Sequence, residues 1–271
     1  MRKAIKFQII NAFNSTGFLR VCLIGVVFSI FCFIINCISS YNADIISVQA
    51  SYMQFLANSD WQTLIFGMVM PLLACAAYSD SYLADYNNNY FPICAVRMGA
   101  KKYYFSKLIA VFFCGAFVIF LPQIINYLLC MIAFPFESTN QYTLGLIQAD
   151  TYGVILDLIL FKRLYIFSPH LYFLLYIFIS SLIAGAIAVI AYQLSYFVKN
   201  KIFVLSIMFI FINLFSVFCD VRNIKLDVLD CIFGLDISTP SYPYFIIIIA
   251  SYFLMAFAPI PFALKKVKNT I

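Results

Sequence analysis

Residues 108–136 read LIAVFFCGAFVIFLPQIINYLLCMIAFPF, 29 consecutive positions without an Asp, Glu, Lys or Arg. A hydrocarbon core of about 30 Å is crossed by about 20 helical residues, so this run is long enough to span a bilayer. A barrel strand would alternate polar and apolar side chains over about ten positions, and this run does not alternate. Lipid cannot satisfy an unpaired backbone N–H or C=O, which leaves a transmembrane helix as the reading.

Working outward, five further stretches reach eighteen residues without a charged side chain: Val21–Ala43, Trp61–Ser79, Leu164–Val198, Ile202–Cys219 and Ile237–Leu264. The next longest, Ile45–Ser59, has fifteen and is rich in Ser, Gln and Asn. Six helices are therefore predicted, near residues 20–39, 62–79, 108–133, 171–198, 202–219 and 244–264. The 271 residues are 65% hydrophobic and 10% charged, against roughly 45–50% and 25% in soluble domains. The fold class is all-α, a polytopic membrane protein forming a single transmembrane domain over 1–271, with no internal repeat and no soluble domain.

The charges lie between the spans, and their sidedness predicts the topology. Thirteen of the seventeen Lys and Arg residues fall on the side of the two termini, in the lead segment, in residues 80–107, at 199–201 and in the tail; Asp80 and Asp85 are the only acids there. The opposite side has Lys162, Arg163, Arg222 and Lys225 against nine acidic residues. Basic loops stay in the cytoplasm, so both termini are expected there. The net charge of +6 is then about +11 inside and −5 outside, and gives no indication of nucleic acid. The first span is too long, and starts too late, for the core of a cleaved signal peptide.

In residues 1–18, Ile5, Ile9, Ala12, Phe13 and Thr16 fall in one arc of a helical wheel, opposite Lys3, Gln8, Asn11, Asn14 and Ser15; Phe7 and Lys6 break the pattern. The segment reads as a basic amphipathic helix in the membrane interface, or as a polar leader whose lysines set topology. In the loop 80–107, Pro92 suits a first helical position and Gly99 the residue past a helix end, with Ile93, Cys94, Val96 and Met98 between them. It reads as a short docking helix or as a folded-back loop. The outer segments 134–170 and 220–243 are long for bundle connections, and Leu144–Leu160 and Ile224–Ile237 keep an apolar periodicity that fits interfacial or re-entrant helices.

Several chemistries lack their residues. Apart from Arg20 at the very start of the first, the predicted spans hold no Asp, Glu, Lys or Arg, which argues against a carrier that moves ions through titratable membrane groups. His170 is the single histidine and no Cys cluster has zinc spacing; its place at the outer end of span four reads as interfacial. Ser180 and Ser181 have no general base to activate them. No G-x-x-x-x-G-K-[ST] sequence occurs, so no catalytic or metal residue is predicted. Ser181 with Gly185, and Ala184 with Ala188, have the four-residue spacing of close helix packing. Of nine cysteines, only Cys219 and Cys231 flank one outer loop closely enough for a disulfide, with proximity as the sole support.

The layout resembles the permease subunits of type-2 ABC exporters: a lead helix, six spans, a substantial loop between spans two and three, and a large outer loop before the last span. The most specific stretch is Ser79–Ala110, with Asp80 or Asp85, Pro92, Arg97, Gly99, Lys101, Lys102 and Lys107; Asp85 and an Asn87-Asn88-Asn89 run stand in place of the family's usual Glu and Gly. The resemblance implies that residues 91–99 form a coupling helix on a partner ATPase, with Phe91, Pro92, Ile93, Val96, Arg97, Gly99 and Lys101 at the contact. It further implies a connecting helix at 1–18 and re-entrant outer helices within 224–240. The implied partners are an ABC ATPase subunit carrying ATP and magnesium, a second copy or a paralogous permease, and membrane lipid; this chain has no cofactor and no enzymatic activity of its own. Polar span residues Asn36, Gln123, Asn126, Ser180, Ser181 and Asn213 are candidates to line the path, or else bond helix to helix. Pro71, Pro122, Pro259 and Pro261 are candidate kinks. The expected cargo is amphipathic or hydrophobic, in the narrowest form an antimicrobial peptide exported for secretion or self-immunity from a bacterial cell. The alternatives are a non-transporting scaffold or immunity protein and an ion-coupled carrier.

Overall fold

The structure, a computed structural model, describes residues 1–43, 48–55, 60–136, 160–222, 224 and 242–269. In chain order its helices are α1 (Arg2–Phe13), α2 (Thr16–Ser39), α3 (Asp60–Tyr78), α4 (Ser81–Asn87), α5 (Tyr90–Met98), α6 (Ala100–Ala133), α7 (Lys162–Phe167), α8 (Pro169–Leu194), α9 (Lys201–Arg222), α10 (Tyr242–Phe257) and α11 (Ile260–Asn269). Six segments are long and apolar enough to cross a membrane: Thr16–Ser39, Trp61–Asn87, Ala100–Ala133, Pro169–Leu194, Lys201–Cys219 and Tyr242–Lys265. No strand occurs among the described residues. The outer helices expected at 144–160 and 224–240, and Cys231, lie outside the described residues.

Local chemistry explains several helix ends. Ser15 caps α2, its hydroxyl accepting from the Phe18 amide at 3.3 Å, and Ser168 caps α8 with Pro169 in the first turn, where a missing N–H costs nothing. Pro71 and Pro122 sit inside α3 and α6, which run on past them. The last span behaves differently: α10 stops at Phe257 and α11 restarts at Ile260, because Pro259 supplies no N–H and disfavours helical backbone at Ala258.

The third span corrects the sequence reading. It starts at Ala100, eight residues before the predicted 108, and takes Lys101, Lys102 and Lys107 into the helix. A charge-free run ends at a lysine, whereas a helix ends at a breaker, here Gly99 at φ 82°. Lys107 is thus a buried cation within a spanning helix, contrary to the expectation that the spans hold none.

α6 and α8 form the centre. α6 packs against α1, α2, α3, α8 and α11, and α8 against α3, α7, α9 and α10. Small residues let the two approach, as the four-residue spacing predicted: a Cβ on Gly115 would lie 2.4 Å from the Ala188 Cβ, and one on Gly185 would lie 2.9 Å from the Phe112 carbonyl oxygen. Gly25 likewise admits the ring of Pro122 where α2 crosses α6. α1 turns Gln8 and Ala12 inward while Lys3, Lys6, Phe7 and Ile10 are exposed. Gln8 was expected on the polar face and lies instead against the bundle. Phe13, 4.8 Å from Phe18 and 5.4 Å from Phe117, pins the α1–α2 corner to α6.

Candidate functional site

At the end of the bundle that carries α4 and α5, the chain leaves α3 through Ser79 and Asp80. The Ser79 hydroxyl donates to the Ala188 carbonyl of α8 at 3.0 Å, and Asp80 pairs with Lys201, the first residue of α9, at 2.5 Å. α4 is held more firmly. The Lys107 ammonium, 1% exposed, pairs with the Asp85 carboxylate and also donates to the Ser81 carbonyl at 2.8 Å and to the Tyr103 hydroxyl at 3.1 Å. Tyr103 in turn donates to Asp85 at 2.5 Å. The rings of Tyr103 and Tyr78 lie 5.2 and 5.9 Å from the ammonium, near enough for cation–π attraction. Around this pair, Tyr82 stacks on Tyr196 at 3.8 Å and Tyr192 shares a hydrogen bond with Tyr196.

α5 rides on this base. Asn89, in the left-handed region at φ 54°, joins α4 to α5, a conformation that asparagine tolerates better than most residues. The helix starts at Tyr90, so Pro92 is its third residue rather than its first; the whole first turn lacks N–H partners, and the ring fits there too. Phe91 is fully buried, edge-on to Tyr82 and Tyr103 at 5.4 Å each. It anchors α5 to the bundle and offers no surface to a partner. Cys94 and Ala95 share its face. Outward lie Pro92, Ile93, Val96 and Arg97, with Ile93 51% and Val96 76% exposed. Gly99 joins α5 directly to α6, whose first turn exposes Lys101 and Lys102. The predicted coupling residues therefore fall into an anchor, Phe91, a linker, Gly99, and five exposed residues, Pro92, Ile93, Val96 and Arg97 on α5 and Lys101 on α6.

The path candidates are engaged with other helices or with their own. Asn36 donates to the Gln54 carbonyl at 2.8 Å and receives from the Gln62 amide at 2.6 Å. Asn126 donates to the Ser29 carbonyl at 2.9 Å, and the Ser29 hydroxyl donates to the Pro122 carbonyl at 2.8 Å, closing a reciprocal pair between α2 and α6. Ser180 donates to Gln123 at 2.8 Å, joining α8 to α6. Ser181 bonds back to Ile177 of its own helix at 2.7 Å. Asn213, half-buried, donates to Phe209 of its own helix at 2.8 Å and reaches the Met68 carbonyl of α3 at 3.3 Å, apart from the rest. Asn36 and Asn126 meet on one seam, to which Cys130 adds a bond to the Gln54 carbonyl at 3.4 Å. His170 lies buried in the first turn of α8, its Nδ1 2.6 Å from the Tyr127 hydroxyl and its ring stacked 3.9 Å from Phe136. Among the described residues no group of His, Cys, Asp and Glu could hold a metal ion.

Sequence reasoning named Lys107 and Asp85 only as motif members and missed their pairing, along with Tyr103, Gln62 and Gln54. The signal available was the spacing of Tyr103 and Lys107, one helical turn apart at the mouth of an apolar run. No known family model, curated protein or solved structure matches the chain.

Proposed function

We propose that the chain is the permease subunit of an ATP-driven exporter, its six spans in a bacterial inner membrane with both termini and the α4–α5 segment in the cytoplasm. The observation that carries the reading is α5: an apolar pair, Ile93 and Val96, exposed beside Arg97 on a helix whose other face is anchored in the bundle. An exposed apolar patch in an aqueous segment has a partner surface as its simplest purpose. With no ATP-binding motif in this chain, that partner is a separate ATPase subunit, which holds the ATP and magnesium.

The anchoring gives a push on α5 several routes into the spans. Gly99 passes it to α6, Asp85 and Lys107 tie α4 to the same helix, Ser79 reaches α8 and Asp80 reaches α9. Closure of a pair of ATPases on ATP would move two such chains against each other and open a path between them, with α1 as the connecting helix beside α5. The cargo is amphipathic or hydrophobic, and in the narrower proposal an antimicrobial peptide. A second reading, a membrane scaffold or immunity protein that transports nothing, draws support from the polar seam, where Asn36, Gln123, Asn126 and Ser180 are bonded within one chain.

The first test is whether an adjacent reading frame encodes a Walker-type ATPase, and the decisive one is co-purification of the full chain with that ATPase, followed by Ile93→Asp and Val96→Asp. Loss of the ATPase from chains that still fold is the expected result. Retained assembly and unchanged ATP turnover in both variants would overturn the docking assignment, and coupled ATP turnover in vesicles that moves no candidate peptide or lipid would favour the scaffold.

A further inference from the structure

Between α6, α8 and α10 lies a cleft of about 250 Å³ lined only by apolar side chains. Its depth comes from small residues. Ala186 and Ala256 form the floor beside Val189, all three buried, while the rings of Phe112, Phe113 and Phe257 stand at its sides. Phe113 is 51% and Phe257 54% exposed, so the cleft opens at the outer surface of the bundle, where lipid would lie. Water entering it would find no side-chain hydrogen-bond partner. Hydrocarbon is the occupant its chemistry accepts.

Its position on α6 provides a polar end. Lys102, Phe105, Ile109 and Phe113 follow one another at spacings of three or four residues and so form one stripe along the helix. Lys102 is exposed, and at 1.5 Å per residue it sits about 10 Å from Ile109 toward the end of the bundle that bears α5. Lys265 is exposed on α11, which packs on α6 just beyond the cleft's Phe257. Two exposed cations thus lie on the helical segments that continue from the slot, Lys102 on α6 and Lys265 on α11.

We propose that the cleft is a binding site for one anionic phospholipid, an acyl chain lying in the slot and the phosphate held by Lys102 and Lys265. A lipid tail is already in hydrocarbon before it enters, so the slot contributes shape and packing rather than a hydrophobic gain, and the lysines contribute selectivity for the headgroup. A side chain from a second copy could fill the slot but would leave the two ammonium groups without a counter-charge. The site needs only that the spans cross a bilayer, and it is independent of the motor.

The experiment is native mass spectrometry of the full-length chain in mild detergent, titrated with phosphatidylglycerol or phosphatidylcholine. One phosphatidylglycerol per chain is expected, preferred at least tenfold over phosphatidylcholine. Lys102→Gln with Lys265→Gln should weaken phosphatidylglycerol by roughly twenty-fivefold, at about fivefold for each charge near the headgroups, and leave phosphatidylcholine unchanged. Ala256→Leu should abolish retention by filling the floor; Ile109→Trp, which narrows the slot from a half-buried position, serves if Ala256→Leu does not fold. Equal retention of the two lipids, indifference to the lysine changes, retention that survives the slot-filling variants, or retention seen only in dimers would each overturn the site. None of these outcomes bears on ATPase docking, since no ATPase is present in the assay.

Discussion

The pair of Lys107 and Asp85 allows a prediction in which the two partners differ. Asp85→Asn leaves the ammonium of Lys107, with only 1% of its side chain exposed, facing neutral acceptors alone: the Ser81 carbonyl, the Tyr103 hydroxyl and the new amide oxygen. Removing one partner of a buried pair typically costs 3–5 kcal/mol; those two contacts and the flanking rings place this variant near the lower bound, about 3 kcal/mol. Lys107→Met leaves the opposite case. Asp85 is 20% exposed and keeps the bond from Tyr103, so its charge has partial access to water and the cost is about 1–2 kcal/mol. The double variant buries no unpaired charge, and should recover about 2 kcal/mol relative to adding the two single effects. The assay is apparent Tm in detergent at one fixed scan rate, followed by size-exclusion chromatography after heating. With about 2–4 °C per kcal/mol for a chain of this size, Asp85→Asn should fall by about 6–12 °C and Lys107→Met by about 2–8 °C, one to two thirds as much. A Lys107→Met variant less stable than Asp85→Asn, or strictly additive effects in the double variant, would refute the claim that a buried cation depends on Asp85.

The crossing of α6 and α8 should be intolerant of added atoms: Gly185→Leu drives a side chain into the Phe112 backbone, and a loss of about 1–3 kcal/mol is expected in the same melting assay. Ser180→Ala leaves the Gln123 side-chain amide oxygen without its donor and should cost about 1 kcal/mol, while Ser181→Ala, which removes only a bond within its own helix, should cost less. Lys201→Gln breaks an ion pair whose lysine is 62% exposed, and should leave Tm unchanged in 150 mM salt, within about 1 °C. Ile93→Asp and Val96→Asp should fold as the wild type does, since both side chains face outward, and this permits their effect on ATPase assembly to be read without a stability correction.

The number and placement of the spans were legible in the chain because a bilayer imposes a one-dimensional requirement: enough consecutive residues without charge. The apolar runs therefore located six helices, and Pro92 and Gly99 located α5, whose end Gly99 sets by a backbone conformation that few other residues share. Ser181, Ala184, Gly185 and Ala188 announced a close packing face in the same local way. The start of the third span was misplaced where a charge was used as a boundary. Lys107 ended the run at 108, yet the helix continues beneath it to Ala100, because a distant carboxylate and a tyrosine hydroxyl satisfy its ammonium.

Which partner a polar group finds was decided by tertiary structure alone. Asn36, Gln123, Asn126 and Ser180 have the same composition whether they face a path or a neighbouring helix, and only the approach of α2, α3, α6 and α8 made them bonds between helices. Phe91 and Ile93 are two apolar residues two positions apart, but a helix turns successive side chains by about 100°, so one became the anchor and the other the exposed surface. Hydrophobicity summed along a chain tells which segments leave water. The direction in which each side chain then points, and the atom it meets there, follows from how the helices pack.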